Sequence, residues 1–214
     1  MKLNQPHQFF DIENPDLINF TNNVVGNETN PQEKAKLLYY AVRDQFLYNP
    51  FLIYFSDQEN KASHLLKVGS GHCIAKASFL CCCLRIADIP AKLGMAKVRN
   101  HMGTAKLEEI LQSDVLVPHG YTEVFLNGKW IKCTPAFNKQ LCQKLGTHPL
   151  DWDGETDSIF HEYDREGGKF MEYLEDYGTF DDFPVEMAKA LMQKEYPHLF
   201  DHNGKFLLHE LLTK

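Results

Sequence analysis

Cys73 has surroundings typical of a nucleophile. It follows Gly69-Ser70-Gly71-His72 and begins an apolar stretch that ends before Pro90, which predicts a turn leading into a buried helix of about 15 residues. The first N–H groups of a helix have no partner within it and carry roughly half a positive charge, so they favour a thiolate. They can also stabilise an oxyanion on a substrate carbonyl. The alternative is a small hydrophobic residue that fills the helix start.

A nucleophilic cysteine needs a base, and His119 is the histidine whose neighbours the sequence positions best. Residues 120–126 alternate in polarity, Asn127-Gly128 is a strong two-residue turn signal, and residues 129–134 return along a second strand. The segment therefore predicts a β-hairpin. Its expected pairs are Leu126 with Lys129, Phe125 with Trp130, Tyr121 with Thr134, and His119 with Ala136.

This register assigns the side chains to the two faces of the hairpin, because neighbouring side chains on a strand point in opposite directions. His119, Tyr121, Trp130 and Thr134 share one face, and Cys133 points to the other. Thr134 is a diagonal neighbour of His119 and within its reach. The hairpin therefore predicts that the Thr134 hydroxyl, and not Cys133, orients the imidazole.

Other elements follow from local signals. Asn30-Pro31 is an N-cap followed by proline at the first helical position, and Asn49-Pro50 marks the end of the same helix. Residues 1–29 are polar and irregular in pattern. The remaining predictions are a short helix near 62–67, a strand at 91–99, a helical or loop segment at 104–113, and a terminal helix at 185–195.

Three blocks of this sequence together resemble the core of the transglutaminase-like superfamily. They are Gly71-His72-Cys73 at the helix start, Arg85 to Ala91 at its end, and the hairpin from His119 to Pro135. The resemblance spans about 31–140 and implies a papain-like α+β fold, with the central helix packed on an antiparallel sheet. It also implies a Cys-His-Asp triad that performs acyl transfer or amide hydrolysis, in which Cys73 is the nucleophile and His119 the base.

The third position departs from the family pattern, because Thr134 precedes Pro135 where the family has aspartate. A hydroxyl can accept the imidazole N–H, but it brings no negative charge to stabilise imidazolium. Asp114 and Asn138 are the nearest alternatives in sequence, ranked below Thr134. The residues predicted to contact substrate are Gly71, His72, Tyr121 and Trp130.

Composition narrows the function classes. The 214 residues are 43% hydrophobic and 24% charged, with a formal net charge of −7. These values are ordinary for a globular protein, and the absence of a basic cluster disfavours nucleic-acid binding. No apolar run is long enough for a signal peptide or membrane span, so we expect a cytoplasmic protein. Three of the six cysteines are consecutive, which fits no regular disulfide pattern, and the lack of a CxxC or HxxxH pair disfavours a zinc site, so no cofactor is predicted.

The sequence predicts one domain over 1–214, with its core at about 31–140 and an acidic, aromatic C-terminal extension at 147–214. The aromatic residues of the extension are expected to pack it onto the core. The function predicted is a thiol-dependent amide hydrolase or acyltransferase that acts on a peptide or protein through a thioester on Cys73. The alternative is a catalytically inactive binding module with the same fold, which the substitution at Thr134 favours.

Overall fold

The structure is a computed structural model of the 214-residue chain and describes residues 7–101, 105–159 and 171–213. Its helices are α1 (Pro15–Val25), α2 (Pro31–Gln45), α3 (His64–Val68), α4 (Cys73–Ile86), α5 (Ala105–Leu111), α6 (Lys139–Lys144), α7 (Val185–Glu195) and α8 (Leu208–Leu211). Its strands are β1 (Leu47–Tyr48), β2 (Ser70–Gly71), β3 (Ala91–Asn100), β4 (Val115–Leu126), β5 (Lys129–Cys133) and β6 (Met171–Phe180).

The first two helices begin with the same local signal. In α2, the Asn30 side chain accepts hydrogen bonds from the backbone N–H groups of Gln32 and Glu33, as the Asn-Pro pair predicts. Asn14 caps α1 in the same way. The expectation of an irregular segment over 1–29 is therefore wrong for the residues of α1. The Asn14-Pro15 pair is the same N-cap and proline signal that begins α2.

The central helix α4 is buried on nearly every side, as its composition predicts. It packs against α1 and α2 on one side and against β3 and β4 on the other. Lys76 and Arg85 are buried with its apolar residues. The Lys76 ammonium group donates hydrogen bonds to the carbonyl oxygens of Arg43, Phe46 and Ala136, at 2.8–2.9 Å. The helix therefore fastens the end of α2 to the segment that follows β5.

The sheet is antiparallel, with the strand order β5-β4-β3-β6. The hairpin of β4 and β5 has the predicted register from Leu126–Lys129 to Thr122–Cys133. Asn127 and Gly128 have φ angles of 51° and 81°, which the tight turn requires. The ladder ends at the pair Thr122–Cys133, and the expected pairs Tyr121–Thr134 and His119–Ala136 do not form. Pro135 has no N–H to continue the ladder, and Thr134 N–H donates to the Ser158 carbonyl instead.

The C-terminal extension supplies elements that the sequence pattern only partly indicated. α7 has the predicted bounds, whereas β6, which pairs with β3 at the edge of the sheet, was not predicted. Trp152 is buried against Tyr39, as expected of an aromatic residue that packs the extension onto the core. Three other aromatic residues of that prediction lie outside the described residues: Phe160, Tyr163 and Phe170. Within the described part of the chain, no helix is long and apolar enough to cross a bilayer.

Candidate active site

Cys73 is the first residue of α4, and its side chain is buried with 6% exposure. His72 holds the N-cap position in an extended conformation, which directs the chain from the short strand β2 into the helix. The backbone N–H groups of Gly120, Ile74 and Cys73 itself lie near the sulfur and favour its thiolate form. The thiol therefore has the N-terminal helix environment that the sequence predicted, together with one donor from β4.

Burial determines the protonation state of this thiol. It raises the pKa of Cys73 to about 11, while the three backbone N–H groups act in the opposite direction. The expectation that the helix N-terminus lowers the thiol pKa is wrong for the resting protein. The physical reason is that excluding water from a thiolate costs more than these donors recover. The Cys73 side chain is therefore a thiol at neutral pH.

β4 crosses the first turn of α4 at Gly120. A Cβ atom at this position would lie only 2.7 Å from the Ile74 Cα atom, so any other residue would force the strand away from the helix. His119 precedes Gly120 and is 1% exposed. The close approach therefore places His119 one residue from a backbone N–H group that lies near the Cys73 sulfur.

Thr134 and His119 line the same small cavity. The Thr134 backbone is held at both ends, because its N–H donates to Ser158 and its carbonyl accepts from the Tyr39 hydroxyl. Its own hydroxyl is buried and has no hydrogen-bond partner among the described residues. The fold therefore brings Thr134 to His119, but the predicted hydrogen bond to the imidazole is not formed in this conformation.

The two alternative orienting residues have other partners. The Asp114 carboxylate pairs with Arg99 at 3.2 Å. It precedes His119 by five residues along an extended strand, or about 16 Å. The Asn138 side-chain oxygen accepts the backbone N–H of Tyr48 and holds the segment after α2. Neither observation assigns these residues to the imidazole.

Of the predicted substrate contacts, Gly71 and His72 lie beside Cys73. Gly71 is buried in β2, where its carbonyl accepts the Asn49 N–H. His72 is half-buried and borders a cleft on either side of the start of α4. Burial lowers the pKa of His72 to about 4, so the ring is neutral at physiological pH. These two residues could meet a substrate at Cys73.

The other two predicted contacts are elsewhere. Tyr121 is fully buried, and its hydroxyl donates to the Asp176 carboxylate from β6. Trp130 pairs with Phe125 near the hairpin turn, six residues or about 20 Å along the strand from His119. A shared face of the hairpin does not by itself bring these residues together, because Trp130 lies far along the strand and the Tyr121 ring packs over Gly94 of β3. Neither residue lines the clefts on either side of Cys73.

The sequence of this chain matches a known protein family. The family model of the transglutaminase-like superfamily matches residues 18–135. The chain belongs to this superfamily. The match confirms the resemblance and begins earlier than the predicted core, within α1. It contains Cys73, His119 and Thr134, whereas α7 lies beyond it. No curated protein matches the sequence.

One solved structure shares the fold of this chain, and a second is more distantly similar. A candidate cysteine protease from Cytophaga hutchinsonii has a TM-score of 0.53 and 14% sequence identity, over 84% of this chain and 46% of that one. This chain therefore spans about half the length of that structure. A candidate protease from Parabacteroides distasonis has a TM-score of 0.39 and 14% identity, over 61% of this chain and 24% of that one. The fold class, α+β with a papain-like arrangement of helix and sheet, is confirmed.

Two residues that support the transglutaminase-like site were missed by sequence reasoning. Lys76 lies one turn after Cys73, and its position as a lone cation at the start of an apolar helix was a usable signal. The Tyr196 hydroxyl accepts the Val117 N–H at 2.9 Å and donates to the Val115 carbonyl at 2.6 Å. It thereby braces β4 two residues before His119. Nothing in the local pattern around Tyr196 indicated this contact, because its partners are about 80 residues away.

Proposed function

We propose that this protein is a thiol-dependent amide hydrolase or acyltransferase that acts on a peptide or protein substrate. Cys73 is the nucleophile and His119 the base. The observation that carries the proposal is the close approach of β4 to the first turn of α4 at Gly120, which places the Gly120 N–H near the Cys73 sulfur, with His119 as the preceding residue. Superfamily membership supports the same assignment of the two side chains.

The reaction proceeds by covalent catalysis in two steps. The Cys73 sulfur attacks the substrate carbonyl carbon while His119 accepts the thiol proton, and the carbonyl oxygen becomes an oxyanion near the N–H groups that begin α4. The carbon–nitrogen bond then breaks, and the amine leaves with the proton from His119. Water or a second amine attacks the thioester, which releases the acid or a new amide and restores the thiol.

Because the Cys73 thiol is protonated at rest, this scheme requires His119 to act as a base. The thiol pKa of about 11 means that the proton must be removed during the attack. Thr134 is the proposed orienting group for the imidazole, because its hydroxyl borders the same cavity and has no other partner among the described residues.

A catalytically inactive binding module is the second candidate. The threonine in place of the family's aspartate favours it, since no carboxylate stabilises an imidazolium at this position. In that case the same cleft would hold a peptide without cleaving it.

An acyl-trapping experiment separates the two. The protein is incubated with a mixed peptide library, quenched in acid and examined by intact-mass spectrometry for an acyl adduct on Cys73. Wild type is expected to carry the adduct and Cys73→Ala to lack it. Cys83→Ala, a matched change of another buried cysteine on α4, should retain it. A folded wild type that forms no adduct but still binds library peptides would establish the binding module.

A further inference from the structure

A narrow cleft opens beside the Cys73 thiol, and most of the residues that line it are apolar. Its walls come from segments that are distant in sequence: β1 and the loop after it, the start of α4, α5, β4, and α7 with the residue that follows it. Leu107 and Leu111 line it from α5, Val117 from β4, and Met192 from α7. No aspartate, glutamate, lysine or arginine is among the described residues that line it.

The polar groups at this cleft are unsuited to a charged ligand. The Tyr196 hydroxyl is committed to the backbone of Val115 and Val117. His72 is neutral at physiological pH, because burial lowers its pKa. A charged group placed here would lose its hydration without gaining an ionic partner, which is costly, whereas an apolar group would gain from leaving water.

One wall of the cleft is a feature of this chain's C-terminal extension. Met192 and Tyr196 lie beyond residue 135, where the superfamily match ends. Their segment is held against the sheet, since Lys97 forms an ion pair of 2.8 Å with Glu195 and Tyr196 bonds to β4. The extension thus completes a preformed wall next to the nucleophile.

We propose that this cleft is the acyl-side specificity pocket, and that the protein selects substrates whose acyl group carries an aliphatic or aromatic chain. The inference rests on the proposed function, because it assumes that Cys73 attacks the carbonyl. The apolar chain lies between α5 and Met192 while the carbonyl is presented to the sulfur. Acidic acyl groups are excluded by their desolvation cost.

A series of p-nitrophenyl esters tests the pocket without knowledge of the natural substrate. The Cys73 sulfur bonds to the acyl carbon, the ester carbon–oxygen bond breaks, p-nitrophenolate leaves, and the thiol proton passes to His119. The burst of p-nitrophenolate measures acylation, with Cys73→Ala as the background. Acetyl, butyryl and hexanoyl esters vary the chain length, and the glutaryl half-ester adds a negative charge.

Each buried methylene is expected to increase the acylation rate constant by about threefold to fourfold. Hexanoyl should therefore acylate Cys73 on the order of a hundredfold faster than acetyl, with glutaryl no faster than acetyl. Equal rates across the series, with a burst that depends on Cys73, would overturn the pocket but leave the nucleophile in place. A burst that Cys73→Ala does not reduce would instead overturn the proposed function, and the pocket with it.

Variants at Met192 locate the effect. Met192→Trp fills the cleft and is expected to remove at least tenfold of the preference for hexanoyl over acetyl. Met192→Leu is the matched control, because it nearly conserves volume and should keep the preference within twofold. If Met192→Trp does not fold, the wild-type series still decides the question. An undiminished hexanoyl preference in a folded Met192→Trp would place the acyl chain elsewhere.

Discussion

The alkylation of Cys73 should be slow at neutral pH and should accelerate steadily as pH rises. The side chain is 6% exposed, and burial raises its pKa to about 11. At pH 8 the thiolate fraction is then about one in a thousand, compared with about one in four for an ordinary thiol of pKa about 8.5. A thiolate of higher pKa is more nucleophilic, which offsets about tenfold of this difference. The net expectation is a rate at least about 20-fold below that of free cysteine.

Iodoacetamide labelling between pH 6 and 9, followed by intact-mass spectrometry, measures this directly. The rate constant for Cys73 should increase about tenfold for each pH unit across the whole range, because the range lies below the pKa. Subtracting the Cys73→Ala signal isolates the residue, and Cys83→Ala should reproduce the wild-type profile.

A rapid reaction that reaches a plateau below pH 7 would refute this reasoning. Such a profile is the signature of a thiolate–imidazolium pair formed before substrate binds, and it would mean that His119 outweighs desolvation at rest. The proposed nucleophile would stand, but the order of proton transfer and attack would be reversed.

Three further changes test the groups that support the site. Thr134→Val removes a buried hydroxyl that has no partner among the described residues, so the thermal unfolding temperature should be unchanged or should rise by the equivalent of about 1 kcal/mol. If the hydroxyl orients the base during the reaction, the acylation rate of Cys73 should fall about tenfold to a hundredfold. An unchanged acylation rate would remove Thr134 from the mechanism. Tyr196→Phe leaves the Val117 N–H and the Val115 carbonyl without this partner, at about 1–3 kcal/mol each, and urea titration should show a loss of about 2–6 kcal/mol. Tyr177→Phe is the matched control, because Tyr177 is only partly buried and its hydroxyl interacts with the exposed Glu175 side chain, so the cost should stay below about 1 kcal/mol. Lys76→Met leaves three buried carbonyl groups without their donor, and the same urea titration should show a loss of about 3–5 kcal/mol in the free energy of unfolding. A loss below about 1 kcal/mol would show that water replaces the ammonium group.

The sequence alone was sufficient where a few neighbouring residues decide the conformation. Asn30-Pro31 predicted the start of α2, Asn127-Gly128 predicted the turn and the register of the hairpin, and the nearly uniform apolar composition after Cys73 predicted a buried helix. These signals act through backbone geometry and solvation within a few residues of one another. The order of the motifs was enough to indicate the superfamily and to nominate Cys73 and His119.

Only the tertiary structure decided what surrounds those two side chains. The same helix start that favours a thiolate lies under β4 and beside α7, and the water that these segments exclude reverses the direction of the thiol pKa. The end of β5 at Cys133, the hydrogen bond from Tyr121 to Asp176 on β6, and the contact of Tyr196 with Val117 also depend on residues far apart in sequence. Desolvation and packing depend on what covers a residue, and that covering comes from segments whose position no local pattern specifies.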